Sequence, residues 1–170
     1  MRLVKVAKAL FMIVTLTLVF LVVAGRLSTL TLLLGFLFSL AFSVLLSNEF
    51  IKDSRKLFQI SRYFWLAVFV IVYFFLYESK AHIDVVKRIL SPSMPLNPGI
   101  VKVKTDLKSD YSLLLLASSI SNAPGTLTLY VDRERGELYV HWIDVKSRDP
   151  NVVRNVVSLP FEDFAKKMFE

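Results

Sequence analysis

Arg26 is the only charge between Ala9 and Asn48, and it divides an apolar stretch of about 40 residues into two lengths, 9–25 and 27–48, each long enough to cross a bilayer. A turn this short leaves the two segments no arrangement except antiparallel neighbours, so they are expected to form a helical hairpin. Thr15, Thr17, Ser28, Thr29, Thr31, Gly35, Ser39 and Ser43 supply the small or hydroxylated positions at which membrane helices approach closely. Gly35, Ser39 and Ser43 recur every fourth residue and share one helix face. That face serves either to dock another protein or to pack the hairpin on itself.

Between Glu49 and Arg62 lies a basic connector in which Phe50, Ile51, Leu57, Phe58 and Ile60 alternate with Lys52, Asp53, Arg55 and Lys56, a composition suited to the membrane surface. A third uncharged run, Tyr63 to Tyr77, has about 15 residues, short for a span. It opens with Arg62, Tyr63 and Trp65, a cationic and aromatic anchor of the headgroup level. A third membrane segment is therefore expected at 62–79. Helical periodicity continues through Ile83, Val86 and Leu90 until Ser91 and Pro92 stop it. Pro92, Pro95, Pro98 and Gly99 then make a stiff, hydrogen-bond-poor linker at 92–99, separating a membrane domain, 1–91, from a small soluble domain, 100–170.

In the soluble part, Val101 and Val103 alternate with Lys102 and Lys104, the period of a half-buried strand. Ser109 or Asp110 is placed to cap a helix with its body at Leu113 to Ile120 and its end at Asn122, Pro124 and Gly125. Leu127, Leu129 and Val131, a turn at Glu134 to Gly136, then Leu138, Val140 and Trp142 predict a β-hairpin with one apolar face. The segment from Asn151 to Glu170, with Val152, Val153, Val156, Val157, Phe161, Phe164, Met168 and Phe169, closes the order strand, helix, strand, strand, helix. An α+β domain with helices on one face of a small sheet satisfies it. About 75 residues bury only a modest core, which points to dependence on the membrane part or on other proteins.

A net charge of +7 suggests nucleic acid in a soluble protein, but here Arg2, Lys5 and Lys8, Lys52, Arg55, Lys56 and Arg62, and Lys80, Lys87 and Arg88 cluster beside the apolar runs, where anionic lipid headgroups and topology selection use them. No nucleic-acid motif accompanies them. Cysteine is absent, which excludes disulfides, thiolate nucleophiles and cysteine-ligated metals. His82 and His141 stand about 60 positions apart with no second ligand at metal spacing. His141 is expected on the strand face opposite Val140 and Trp142, turned to solvent or to a partner. Glycine is scarce, with 5 in the chain, and there is no phosphate loop, dinucleotide fingerprint or nucleophile elbow. No catalytic, cofactor-binding or metal-binding residue is assigned. Glu78, near the end of the third run, is the one acid placed for a proton or cation path. Its position beside Ser79 and Lys80 favours an interfacial or locally paired group, and Arg26 reads as a hairpin tip among headgroups.

Asn97-Pro98-Gly99-Ile100, Asp106-Leu107-Lys108-Ser109-Asp110, the helix with Leu113 to Leu116, Pro124-Gly125-Thr126-Leu127, Val131-Asp132 and Leu138-Tyr139-Val140-His141-Trp142-Ile143-Asp144-Val145 together resemble the E subunit of Mrp (Mnh) multisubunit sodium/proton antiporters. The A subunits of archaeal membrane-bound hydrogenase and sulfur-reductase complexes, which contain an Mrp-like module, are similar too, and the Lys-rich, Cys-free, Gln-poor composition favours that archaeal context. Arg62, Glu78-Ser79 and the exit from Val86 to Pro92 agree in layout. Where the family usually has a threonine-rich stretch, this chain has Ser118-Ser119-Ile120-Ser121-Asn122-Ala123. The resemblance implies a non-catalytic multi-pass subunit of the cell membrane, with other Mrp-like subunits and lipids as partners and no cofactor. The alternatives are a stand-alone anchor presenting a binding domain, and a membrane enzyme acting through His141 and Asp144. With three crossings, basic residues in the tail and connector place the N-terminus in the cytoplasm and the soluble part outside; if one segment fails to cross, the soluble part switches sides.

Overall fold

The computed structural model describes residues 2–51 and 53–170. Packing divides the chain into two units, Met1–Gln59 and Ile60–Glu170.

The first unit is the hairpin, α1 (Arg2–Ala24) and α2 (Thr29–Phe50). Helix α1 includes Lys5 and Lys8 of the basic tail. Gly25 ends it in the left-handed region at φ +63°, and its N–H reaches the Leu21 and Val22 carbonyls at 3.2 Å. Ser28 caps α2, its hydroxyl accepting the Thr31 N–H at 3.1 Å. The buried residues of α2 are Thr31, Gly35, Ser39, Ser43 and Ser47. Fully buried Ser43 donates to the Ala9 carbonyl of α1 at 2.8 Å, and a Cβ at Gly35 would stand 2.9 Å from the Phe20 ring. The small-residue stripe therefore packs the hairpin on itself and is not free to dock another protein. The connector is less regular than an amphipathic helix: a 3-10 turn at Ser54–Phe58, with Asp53 accepting the Arg55 N–H at 3.0 Å. Lys52, one of its basic residues, lies outside the described residues.

In the second unit, strands β1 (Gly99–Lys104), β2 (Thr126–Asp132) and β3 (Glu137–Trp142) form an antiparallel sheet in the order β1-β3-β2. Val101 pairs with Val140 and Val103 with Leu138, so one face is apolar. Helices α5 (Asp110–Asn122), α6 (Pro150–Val153) and α7 (Leu159–Phe169) cover that face through Leu113, Leu116, Ile120, Val153, Phe161, Ala165 and Met168. Between α6 and α7 the backbone widens into a π-helical turn, Arg154–Ser158. Pro160 accounts for it, because proline lacks an N–H and its ring collides with the carbonyl four residues earlier. The expected order of elements, with helices on one sheet face, is what forms.

Three local expectations fail for identifiable reasons. Leu127 and Leu129 do not share the apolar face of β3: Leu127 pairs with His141 and is 49% exposed, while Thr128 turns inward and donates to the Ala117 carbonyl of α5 at 3.2 Å. A bulge between Thr128 and Tyr130 restores the register only at Val131. Ser109 occupies the N-cap of α5 without a side-chain bond, and Asp110 does not replace it. Instead the Glu170 carboxylate accepts the Lys108 N–H at 2.6 Å and the Ser112 hydroxyl at 3.1 Å, tying α7 to the start of α5. The linker is also bonded, not bare: Asn97 exchanges backbone bonds with Ile143 and Val145 at 3.2 and 2.8 Å, and its side chain donates to the Val145 carbonyl at 2.7 Å.

The third apolar run is one continuous helix, α3 (Ile60–Val72), a π-helical segment Tyr73–Glu78, and α4 (Ser79–Leu90). It groups with the sheet and not with the hairpin, since Phe69 and Tyr73 belong to the same core as Leu116 and Val140.

Gly35→Leu overpacks the hairpin against Phe20 and is expected to destabilise it by about 1–3 kcal/mol. Thermal melting of the detergent-solubilised chain by circular dichroism checks this, with Leu34→Phe on the exposed face leaving the midpoint unchanged.

Candidate functional site

The feature that sets this fold apart is the 31-residue helix Ile60–Leu90 lying along the α+β domain from end to end. Its domain-facing residues follow steps of four. Trp65 stands edge-on to Phe164 at 6.3 Å between ring centres, Phe69 meets the same ring at 5.5 Å, and Tyr73 and Tyr77 meet Phe161 at 5.8 and 5.2 Å. Tyr73 donates to the Ser119 carbonyl of α5 at 3.2 Å, Arg62 donates to the Met168 carbonyl, and Lys167 sits 3.9 Å over the Trp65 ring. Further on, Val85 lies beside Gly125, and Arg88 binds Asp84 at 2.7 Å, Asp144 at 2.8 Å and the Pro95 carbonyl at 2.8 Å.

Steps of four in an α-helix rotate the contact line by about 40° each. The wider π-helical turn at Tyr73–Glu78 takes back part of that rotation, so Tyr77 and Val85 still face the domain. The opposite side is apolar and bare: Ile60, Phe64, Ile71, Phe74, Phe75, Ile83, Val86 and Ile89 are all exposed, Phe75 to 81%.

Glu78 closes the π-helical segment. Its Oε2 is buried with no hydrogen-bond partner, and no ion pair to it occurs among the described residues, so it is not the locally paired group its neighbours suggest. A buried carboxylate oxygen without a donor is costly. His82 does not join it through a side chain; its Nδ1 lies 2.9 Å from the Glu78 carbonyl. His141 is half-buried on the uncovered sheet face between Ile100 and Leu127, and Asp144 is occupied by Arg88, so these two residues do different jobs. Arg26 is exposed at the hairpin tip.

Two charged clusters hold the domain together. Arg154 joins Asp106 at 2.6 Å and buried Glu162 at 2.8 Å, and Ser158 donates to Glu162 at 2.7 Å. The hydrogen bond from Arg154 lowers the Asp106 pKa, and the bonds to Asp106 and Glu162 raise that of Arg154. For Glu170, burial pushes the pKa up, but the Lys108 and Ser109 N–H groups, the Ser112 hydroxyl and nearby Lys166 outweigh it and hold the carboxyl below its ordinary value.

The Phe161 and Phe164 rings that receive α3 were visible in sequence only as part of an amphipathic helix. The matching period of Trp65, Phe69, Tyr73 and Tyr77 was the one signal that linked them.

A transmembrane hairpin followed by a long helix bound to a small α+β domain defines a multi-pass membrane protein. Residues 13–168 match the family MNHE, Na+/H+ ion antiporter subunit. The chain is 42% identical over 95 residues to the E-type subunit of the Na(+)/H(+) antiporter of Alkalihalophilus pseudofirmus, covering 56% of this chain and 60% of that one. It is 34% identical over 125 residues to the E1-type subunit of the Na(+)/H(+) antiporter of Staphylococcus haemolyticus, covering 71% of this chain and 73% of that one. It also superposes with TM-score 0.80 and 29% identity on a chain in the structure of the membrane-bound sulfane sulfur reductase, an archaeal respiratory membrane complex, covering 96% of this chain and 99% of that one. The chain belongs to the MNHE family of Na+/H+ ion antiporter subunits.

Because the folded pKa of Glu170 is depressed, its stabilisation is present above the ordinary glutamate value of about 4.3 and fades as pH falls through the folded value. Glu170→Gln is therefore expected to melt below the wild type at pH 7, with the gap closing under pH of about 4.

Proposed function

We propose that this chain is a non-catalytic subunit of an Mrp-type sodium/proton antiporter module within an archaeal respiratory complex of the sulfur-reductase or hydrogenase kind. The observation that carries the reading is the near-complete correspondence with the sulfane sulfur reductase chain, against the partial spans aligned with the antiporter subunits. Segments 9–25 and 27–48 cross the membrane, and 100–170 faces water.

The role is assembly and support of ion translocation. Residues 9–48 carry no acid, and the buried hydroxyl groups of α2, those of Thr31, Ser39, Ser43 and Ser47, lie inside the hairpin, so the crossing helices offer a cation no path. Large partner subunits carry the ions. Exposed Phe36, Phe38, Leu45 and Val44 on α2 give those partners and the lipid an apolar surface.

Affinity purification of the tagged chain from native membranes in a mild detergent is expected to recover several much larger polytopic proteins in fixed ratio. Deleting the chain is expected to abolish sodium-dependent proton exchange in inverted vesicles. Recovery of this chain alone, or exchange at the wild-type rate after deletion, contradicts the reading.

A further inference from the structure

We infer that the helix Ile60–Leu90 does not cross the bilayer but lies in its headgroup layer, bare face down, so that the α+β domain stays on the same side of the membrane as the N-terminal tail.

Alongside Arg62 and the uncharged run Tyr63 to Tyr77 the neighbour is α7, antiparallel and in contact at Met168, Phe164 and Phe161. Helix α7 carries Asp163, Lys166 and Lys167, and beside it stand the Arg154–Asp106 pair and the Lys108 backbone held by Glu170. If 62–77 spanned the hydrocarbon, this charged, water-soluble domain would be carried to bilayer depth, at a cost of several kcal/mol for each uncompensated charge. No rearrangement short of tearing Phe69 and Tyr73 from the core avoids it.

An unaccompanied crossing helix is apolar all round, whereas here one side is filled by the domain and the other presents Ile60, Phe64, Ile71, Phe74 and Phe75, then Ile83, Val86 and Ile89. At 1.5 Å per residue this face, from Ile60 to Ile89, runs about 44 Å, well beyond the ~30 Å hydrocarbon thickness, a length suited to lying along a surface.

The occupant of this face is lipid. The face is continuous in sequence with the exposed Phe50 and Phe58 of the connector, which leaves the end of a transmembrane helix and so starts at the bilayer surface. Lys56, Lys80 and Lys87 lie along the connector and helix, where anionic headgroups attract them. Basic charge also supports the topology. With two crossings, Lys5, Lys8, Arg55, Lys56, Lys80, Lys87 and the basic residues of the domain share one side and only Arg26 is left on the other, the distribution expected of a cytoplasmic N-terminus and domain.

The chain has no native cysteine, so single cysteines at Lys5, Leu27 and Glu134, the last in the β2–β3 turn, report sidedness in the intact complex with a membrane-impermeant maleimide. In intact spheroplasts L27C is expected to label and K5C and E134C to stay unlabelled, with the reverse in inverted vesicles; E134C labelling together with L27C overturns the inference. Spin labels at F64C, F75C and V86C then measure depth by oxygen and nickel-chelate accessibility. Equal, shallow, oxygen-accessible positions support it. A depth that increases from Phe64 to Phe75, or labels shielded from oxygen because another protein covers the face, contradicts it.

Discussion

The aromatic seam between α3 and α7 is the contact on which the rest depends. Trp65, Phe69, Tyr73 and Tyr77 on one helix interlock with Phe161 and Phe164 on the other, in the edge-to-face and tilted geometries that aromatic rings favour. The seam extends a core that is otherwise small. Leu116, Val103, Leu138 and Val140 are wholly shielded, but they form a single layer between a three-stranded sheet and the helices α5, α6 and α7. By adding α3 as a third layer the chain gains apolar burial that about 75 residues alone do not supply. Arg88 then locks the far end, its guanidinium bridging Asp84, Asp144 and the Pro95 carbonyl so that the end of the helix, the linker and the segment after β3 are held together.

Much of this was legible in the sequence because it rests on periodicity. The hairpin follows from the charge-free lengths on either side of Arg26, and β1 and β3 from their strict alternation. The end of α4 at Leu90 follows from Ser91 and Pro92. What escaped was set by partners distant in sequence. The cap of α5 comes from Glu170, at the other end of the domain, and no local pattern near Ser109 announces it. The inward turn of Thr128 depends on the Ala117 carbonyl and the Ser121 hydroxyl of α5, which outweigh the apolar alternation of Leu127 and Leu129. The domain boundary read from Pro92 to Gly99 marks a change in composition, whereas packing divides the chain at Gln59, because the third apolar run is apolar for two reasons at once: one face for the core and one left bare.

The small-residue stripe shows the same ambiguity resolved in the other direction. Gly35, Ser39 and Ser43 fit a docking face equally well by spacing, and only the approach of Phe20 and the Ser43 bond to Ala9 assign them to the hairpin interior. The surface that the hairpin leaves for other proteins and lipid is therefore apolar, with Phe36, Phe38, Val44 and Leu45 exposed on α2. Glu78 is the exception, an unpartnered carboxylate oxygen at the end of a π-helical segment, a type of helix irregularity that frequently accompanies function.

Hydrogen exchange of the full chain in lipid nanodiscs, comparing the wild type with Phe161→Ala, tests most directly whether α3 is part of the α+β domain. The seam predicts that removing the Phe161 ring lowers amide protection in α3 and α7 together while α1 and α2 keep theirs. Unchanged protection of α3, with loss confined to α7, would show that the lipid and not the domain holds that helix.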